Sequence, residues 1–237
     1  MISKLVRKSL IFLKRMPRSI YWAIWYFRYF PIMYKVRRNE PLTVNELRTY
    51  WKHPWNSSNL PEGYLEGKER SLFLVELLKR YADSQSVILE VGCNVGRNLN
   101  YLFLAGFKKL VGVEISKDAI RLLKQSFPEL AKYAKIYNMP VEEIITEFED
   151  GAFDIVFTMA VLEHIHPDSE FIFSEMARIT KRFLVSIEDE QGVSWRHFPR
   201  NYKRVFESLG LEQVEEFNCS GVHGLGGDFF LRVFKKV

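Results

Sequence analysis

From residue 66 to the C-terminus, short apolar runs alternate with amphipathic stretches, and this alternation constrains the fold more than any other feature. The pattern predicts strands at 86–91, 109–114, 134–138, 153–158, 182–188, 211–217 and 228–235. It predicts helices near 66–81, 97–105, 117–127, 141–148, 168–179 and 199–209. Alternating strands and helices build a parallel sheet covered on both faces. The last two strands are joined by a Gly-rich loop with no room for a helix, so they are expected to pair antiparallel. A chain of 237 residues holds one α/β domain with or without an appendage. Its apolar share of 47% and charged share of 27% exclude disorder and a polytopic membrane protein. Cys93 and Cys219 are the two cysteines. They build neither a disulfide framework nor a cysteine-rich zinc site, which points to a reducing compartment.

The net charge of +5 hides an asymmetry. Residues 1–39 hold ten basic residues, and the first acidic one is Glu40. Removing those ten from the 34 leaves 24 basic against 29 acidic residues in the body. An acidic body argues against nucleic acid as a partner. In the leader, Ile2, Leu5, Val6, Leu10, Leu13 and Met16 recur at helical spacing opposite Lys4, Arg7, Lys8, Lys14, Arg15 and Arg18. Eight aromatics then fall between Tyr21 and Tyr34, interrupted by Arg28 and broken by Pro31. This stretch is too short to span a bilayer, which takes about 20 apolar residues. Three readings stay open for residues 1–38: an interfacial anchor on an anionic membrane, a helical arm packed on the body, or a targeting leader. A boundary at residue 41 would separate this extension from a domain over 42–237. Between them, 41–65 is turn-rich, and its Trp51, His53 and Trp55 are candidates for a lid or for packing the arm.

The first strand of the alternating region runs directly into Glu90-x-Gly92-Cys93-Asn94-x-Gly96-x-Asn98 and then a helix. In an open α/β sheet, ligands bind beyond the carboxyl ends of the strands at the switch point. Gly92 permits a sharp turn there, and Gly96 is expected to let a ligand approach the backbone. The second strand ends at Glu114, placed to accept hydrogen bonds from both hydroxyls of a ribose. A dinucleotide site wants G-x-G-x-x-G, and this glycine spacing is different. A carboxylate at Glu90 would repel a pyrophosphate but suits a cation carrying an ammonium group. S-adenosylmethionine is such a ligand.

These segments, with Phe153 to His164 (FDIVFTMAVLEH), resemble the first, second and fourth motifs of class I S-adenosylmethionine-dependent methyltransferases. The match is to the small-molecule type whose fourth motif ends V-L-E-H, and it covers about residues 66–237. Asn94 departs from the pattern, since many members have a third glycine there; Asn tolerates unusual backbone angles better than most residues. The resemblance implies a Rossmann-like, open, seven-stranded sheet with its last strand antiparallel. It implies that Glu90 and the stretch from Gly92 through Cys93 and Asn94 to Gly96 surround the methionine part, with Asn98 in the same motif. It places Glu114 on the ribose, Ile115 beside the adenine, and Pro140, Val141 and Glu142 near it. Thr158, Met159 and Ala160 would cap the fourth strand beside the methyl sulfonium.

The acceptor side is less defined. His164 and His166 are candidates for a general base, because histidine titrates near neutrality. No metal is expected from them, for no third ligand stands at motif spacing. Glu188, Asp189 and Glu190 read as solvated loop charges rather than a magnesium site. Arg196, His197 and Tyr202, with Arg200, are candidates for reading an anionic or sugar-like substrate, and His223 is a weaker one. The resulting expectation is methyl transfer to an oxygen of a small-molecule, sugar or lipid-linked acceptor, by a cytoplasmic protein peripheral on the inner face of a membrane. The other reading is an idle subunit of the same fold that anchors or activates a partner at a membrane.

Overall fold

The computed structural model describes residues 29–55 and 59–237. Its strands are β1 (Val87–Val91), β2 (Lys109–Glu114), β3 (Lys135–Asn138), β4 (Phe153–Met159), β5 (Thr180–Asp189), β6 (Leu211–Asn218) and β7 (Phe229–Lys236). They form one sheet in the order β3-β2-β1-β4-β5-β7-β6. β1 to β5 pair in parallel. β7 inserts antiparallel between β5 and β6. The chain builds outward from β1 to β3, then returns to place β4 on the other side of β1. The carboxyl ends of β1 and β4 therefore flank the switch point, where the connections leave in opposite directions.

Alternation along the strands sends successive side chains to opposite faces. Ile88, Ile155, Phe157 and Val185 join one buried cluster with Leu74, Leu99 and Leu123. Leu89, Val156 and Leu184 join the other, with Ile172, Phe173, Met176 and Phe206. Both faces are covered, which is why these strands read as continuous apolar runs.

The turn-rich segment before the domain contains a helix that periodicity did not indicate: α1 (Val44–Lys52). Its signal was present as a capping box. The Thr43 hydroxyl accepts from the Glu46 backbone N–H, and the Glu46 carboxylate accepts from the Thr43 N–H at 2.8 Å. Helices α2 (Lys68–Leu78), α3 (Arg97–Leu104) and α4 (Lys117–Ser126) follow as expected. A short α5 (Pro128–Tyr133) was not foreseen.

Residues 29–37 are also helical, and Pro31 lies inside this stretch instead of breaking it. Tyr29 and Ile32 bury into a third cluster with Leu42, Leu47, Tyr50 and Trp195. The Tyr50 ring packs edge-on against Trp55 and Trp195, each at 4.8 Å between centroids. This part of the extension is thus packed on the body. The amphipathic and aromatic leader up to Arg28 lies outside the described residues.

Candidate active site

A cleft opens beyond the carboxyl ends of β1, β2 and β4, roofed by α1 and the 3-10 turn Pro61–Tyr64. Its floor is the loop after β1, where Gly92, Asn94 and Gly96 have φ of 72°, 47° and 71°. An asparagine holds the third left-handed position, as its tolerance of that region allows. Gly92 makes the sharp turn expected of it, while at Gly96 the missing side chain makes room for packing instead of for a ligand. A Cβ at Gly92 would stand 2.5 Å from Val161 Cγ2, and one at Gly96 would stand 2.5 Å from Leu123 Cδ1. Their bare sides face the fourth-motif turn and α4, so the loop sits tight on the fold.

Two buried carboxyl groups face this floor. Glu114 accepts from the backbone N–H of Ser116 at 2.6 Å and of Asn94 at 2.9 Å. Burial raises its pKa to about 7, partly offset by those N–H donors. Glu90 accepts from Asn98 Nδ2 at 2.8 Å through one oxygen, while its other oxygen is buried without a partner. Burial raises it to about 8 against the Asn98 hydrogen bond. Neither carboxyl group has an ion-pair partner among the described residues. Asn98 is held by the Ser71 hydroxyl at 2.7 Å, so it orients Glu90. Cys93 is a buried free thiol under the same loop, raised by burial.

Ile115, Pro140, Val141 and Glu142 line one wall, and Met159 and Ala160 line the other. Ala160 has φ 57°, a strained angle for alanine at the end of β4. Thr158 is fully buried beneath that wall and does not line the cleft. The Glu142 carboxylate accepts from Arg48 Nε of α1 at 3.2 Å, tying the roof to the wall. Sequence reasoning missed Arg48, Tyr64, Arg70 and Arg97 at this site. Arg97 is buried and donates to the Tyr64 and Glu66 carbonyls at 3.0 and 2.6 Å, which fastens the roof to the floor. Of the three lid candidates, Trp51 lines the cleft, Trp55 packs on Tyr29 and Tyr50, and His53 is exposed 3.8 Å from Asp118.

His164 and His166 both line the cleft. The geometry does not suit His166 as a proton acceptor, and it leaves His164 one acceptor nitrogen, Nε2. His164 Nδ1 lies 2.9 Å from the Arg196 carbonyl, which can only accept, so Nδ1 carries the proton. Burial and the Arg196 charge hold His164 well below the usual imidazole range. His166 Nδ1 accepts from the Asp168 N–H at 3.1 Å, which leaves Nε2–H as a donor. Arg196, His197 and Tyr202 do not line the cleft. Tyr202 is fully buried against Phe173 and Phe206. Arg200 donates to the Ile165 carbonyl and to Glu170, and His223 is exposed.

The acidic run 188–190, at the end of β5, is not a set of solvated loop charges. Glu188 is fully buried, and one oxygen accepts from the Val161 and Leu162 N–H groups at 2.8 and 2.9 Å. Burial and the neighbouring Glu163 raise its pKa well above the carboxylate range. Glu190 pairs with Arg232 at 2.6 Å, and Asp189 caps the Gln191 and Gly192 N–H groups.

A buried acid at the end of β2, a tight glycine loop after β1 and a switch-point cleft are features of a Rossmann-like fold. Residues 89–183 match the family described as methyltransferase domain. Phosphoethanolamine N-methyltransferase 2 of Caenorhabditis elegans is 24% identical over 123 residues, which are 51% of this chain and 26% of that protein. The chain thus matches about a quarter of that relative's length. A geranyl diphosphate C-methyltransferase from Streptomyces coelicolor superposes with a TM-score of 0.57 at 15% identity, over 80% of this chain and 87% of that one. A TehB-like S-adenosylmethionine-dependent methyltransferase from Corynebacterium glutamicum gives 0.57 at 21% identity, over 75% and 98%. At such identities the superpositions establish the fold. Residues 89–183 are thus similar to a methyltransferase domain, within a fold that the chain shares with S-adenosylmethionine-dependent methyltransferases.

Proposed function

We propose that S-adenosylmethionine binds in this cleft and that the domain transfers its methyl group to an oxygen of a small-molecule, sugar-linked or lipid-linked acceptor. One observation carries the reading: two buried carboxyl groups, Glu90 and Glu114, share the cleft floor without an ion-pair partner among the described residues. A ligand with hydroxyl donors at one end and an ammonium at the other complements them. Glu114 would take the ribose hydroxyls. Glu90 and the backbone of residues 92–96 would hold the methionine part. Ile115 and Val141 offer apolar surface to the adenine, and Met159 and Ala160 lie on the sulfonium side. The cofactor supplies an activated methyl group, so the protein's task is orientation and exclusion of water. Trp51, Tyr64 and Arg70 also line the cleft, and an acceptor would meet them there.

Extract incubated with the protein and isotopically labelled methyl donor, followed by mass spectrometry, tests the activity. A metabolite that gains a labelled methyl group is the expected result. Cofactor binding without any labelled product would favour the idle-subunit reading.

Cofactor affinity should depend on pH. In the free protein Glu90 stays protonated up to about pH 8. A bound ammonium favours the carboxylate, so binding releases a proton. Affinity should rise with pH by up to about tenfold per unit below pH 8, then level off. Folding of the free protein has the opposite sign: burial of Glu90 makes stability fall as pH rises from 4.5 to about 8. Calorimetry at pH 6, 7 and 8 checks both, and an affinity independent of pH removes Glu90 from the ammonium site.

The leader supports peripheral attachment to the inner, anionic face of a membrane. No helix of the described residues is long and apolar enough to cross one. Each basic residue near such a surface contributes about 1 kcal/mol, screened beyond a Debye length of about 8 Å. Seven of the ten cations precede Tyr29. Full-length protein is expected to sediment with anionic vesicles, less so at high salt. A chain beginning at Tyr29 should keep the packed helix and stay in the supernatant. Full-length protein that ignores the vesicles would promote the packed-arm reading for the whole extension.

A further inference from the structure

A second cluster of chemistry lies beside the cleft, and the cofactor contacts above do not use it. Glu163 and His164 belong to the 3-10 turn after β4, and His197 comes from the loop after β5. The turn and the loop are joined where the Phe198 N–H donates to the Glu163 carbonyl at 2.9 Å. Glu163 Oε1 stands 3.5 Å from His164 Nε2 and 3.7 Å from His197 Nε2. All three atoms lie within 4.8 Å of one another. The two nitrogen–oxygen distances are too long for good hydrogen bonds, whose N···O mode is about 2.9–3.0 Å.

Each ligand atom is aimed from behind. His164 donates through Nδ1 to the Arg196 carbonyl, so its Nε2 lone pair faces the cluster. His197 Nδ1 lies 2.7 Å from the Ser194 hydroxyl. The other Glu163 oxygen accepts from the Asp189 N–H at 2.6 Å. An outer partner on the far nitrogen of each histidine is the arrangement that fixes ring and tautomer at metal centres. A four-coordinate ion with bonds of about 2.0–2.2 Å sets its ligand atoms about 3.3–3.6 Å apart. The two carboxylate–imidazole distances match that spacing to within a few tenths of an ångström, and the imidazole pair, within 4.8 Å, has to close by up to about 1.5 Å. Arg196 is a cation nearby, held over the Trp51 and Trp195 rings, while Asp189 and Glu188 border the cluster with the opposite sign.

We propose that Glu163, His164 and His197 bind a divalent first-row transition ion, zinc by its ligand set, with an open coordination position toward the cleft that His164 lines. Two imidazoles and one carboxylate suit zinc, cobalt or iron(II) rather than magnesium, which prefers oxygen ligands. The role of the ion rests on the proposed methyl transfer. An acceptor hydroxyl bound at the open position loses its proton to water more readily. Its oxygen forms the new bond to the methyl carbon as the carbon–sulfur bond breaks. That electron pair stays on sulfur, leaving the neutral thioether. This would stand in for a free general base, since the ion would occupy the His164 Nε2 lone pair.

The test uses full-length protein without affinity histidines, stripped by a chelator and titrated with Co²⁺. One Co²⁺ per chain is expected, with visible d–d absorption, displaced by one equivalent of Zn²⁺ and unaffected by millimolar Mg²⁺. His197→Ala should lose the absorption; its ring is half-buried in a loop, so the fold should persist, as circular dichroism would verify. His164→Ala should lose it too. Wild-type protein that binds neither ion at micromolar concentration overturns the proposal, as does unchanged absorption when His164 and His197 are both replaced by alanine. S-adenosylhomocysteine affinity is measured alongside and should change less than about twofold on Zn²⁺ loading. Cobalt binding without S-adenosylhomocysteine binding would sink the cofactor reading alone. The reverse would sink the metal site alone.

Discussion

Replacing Gly96 by alanine is expected to destabilise the protein by about 1–4.5 kcal/mol. The φ of 71° costs an L-residue roughly 1–2 kcal/mol. Overpacking adds roughly 1–3 kcal/mol, because the new Cβ would meet Leu123 at 2.5 Å and Leu130 at 3.4 Å. The lower entropy of the unfolded chain returns about 0.4–1 kcal/mol. Gly106 provides the control: its φ is 103°, yet nothing stands within 4 Å of its Cβ position. Gly106→Ala should therefore cost the backbone component alone. Denaturant unfolding with unchanged slope checks both substitutions. Equal losses at the two sites would mean that contact with Leu123 does not constrain the loop.

Replacing Glu114 by alanine is expected to weaken S-adenosylhomocysteine binding by about 10- to 150-fold, the range of 1.5–3 kcal/mol for hydrogen bonds to a charged group. The loss has two sources. The ribose hydroxyls lose their acceptor, and the Asn94 and Ser116 N–H groups that Glu114 holds are released. Glu114→Gln separates them, because one amide oxygen still accepts while the charge is gone. Its loss should fall between wild type and alanine. An alanine variant that folds and binds as wild type would remove Glu114 from the ribose.

The sheet was legible because its signals are local. Strands buried on both faces read as apolar runs, and the Gly-rich loop before β7 leaves no room for a crossover. The cleft floor was legible for the same reason: Glu90, Gly92 and Gly96 stand in one short segment, and Glu114 ends the next strand. The roof was not. α1 carries its start signal in Thr43 and Glu46, but the prolines and tryptophans around it read as turn. Long-range contacts leave no local trace. Nothing at positions 163 and 164 announces that His197 closes on them, and the spacing argument sought a third ligand beside His166 instead. Glu188 looked like a surface charge because its three backbone N–H donors come from a turn 25 or more residues earlier. Tyr202 looked like a substrate reader from its basic neighbours, whereas the fold turns it into the core. Gly96 was recognised, but its reason lies in Leu123, one helix away.

The most direct measurement of the central claim is a calorimetric titration of full-length protein with S-adenosylhomocysteine, repeated with NAD under the same conditions. One site per chain for S-adenosylhomocysteine, with affinity rising from pH 6 to pH 8, and no specific heat with NAD, is the result expected from two buried carboxyl groups in the cleft floor. Saturable NAD binding without S-adenosylhomocysteine binding would contradict it.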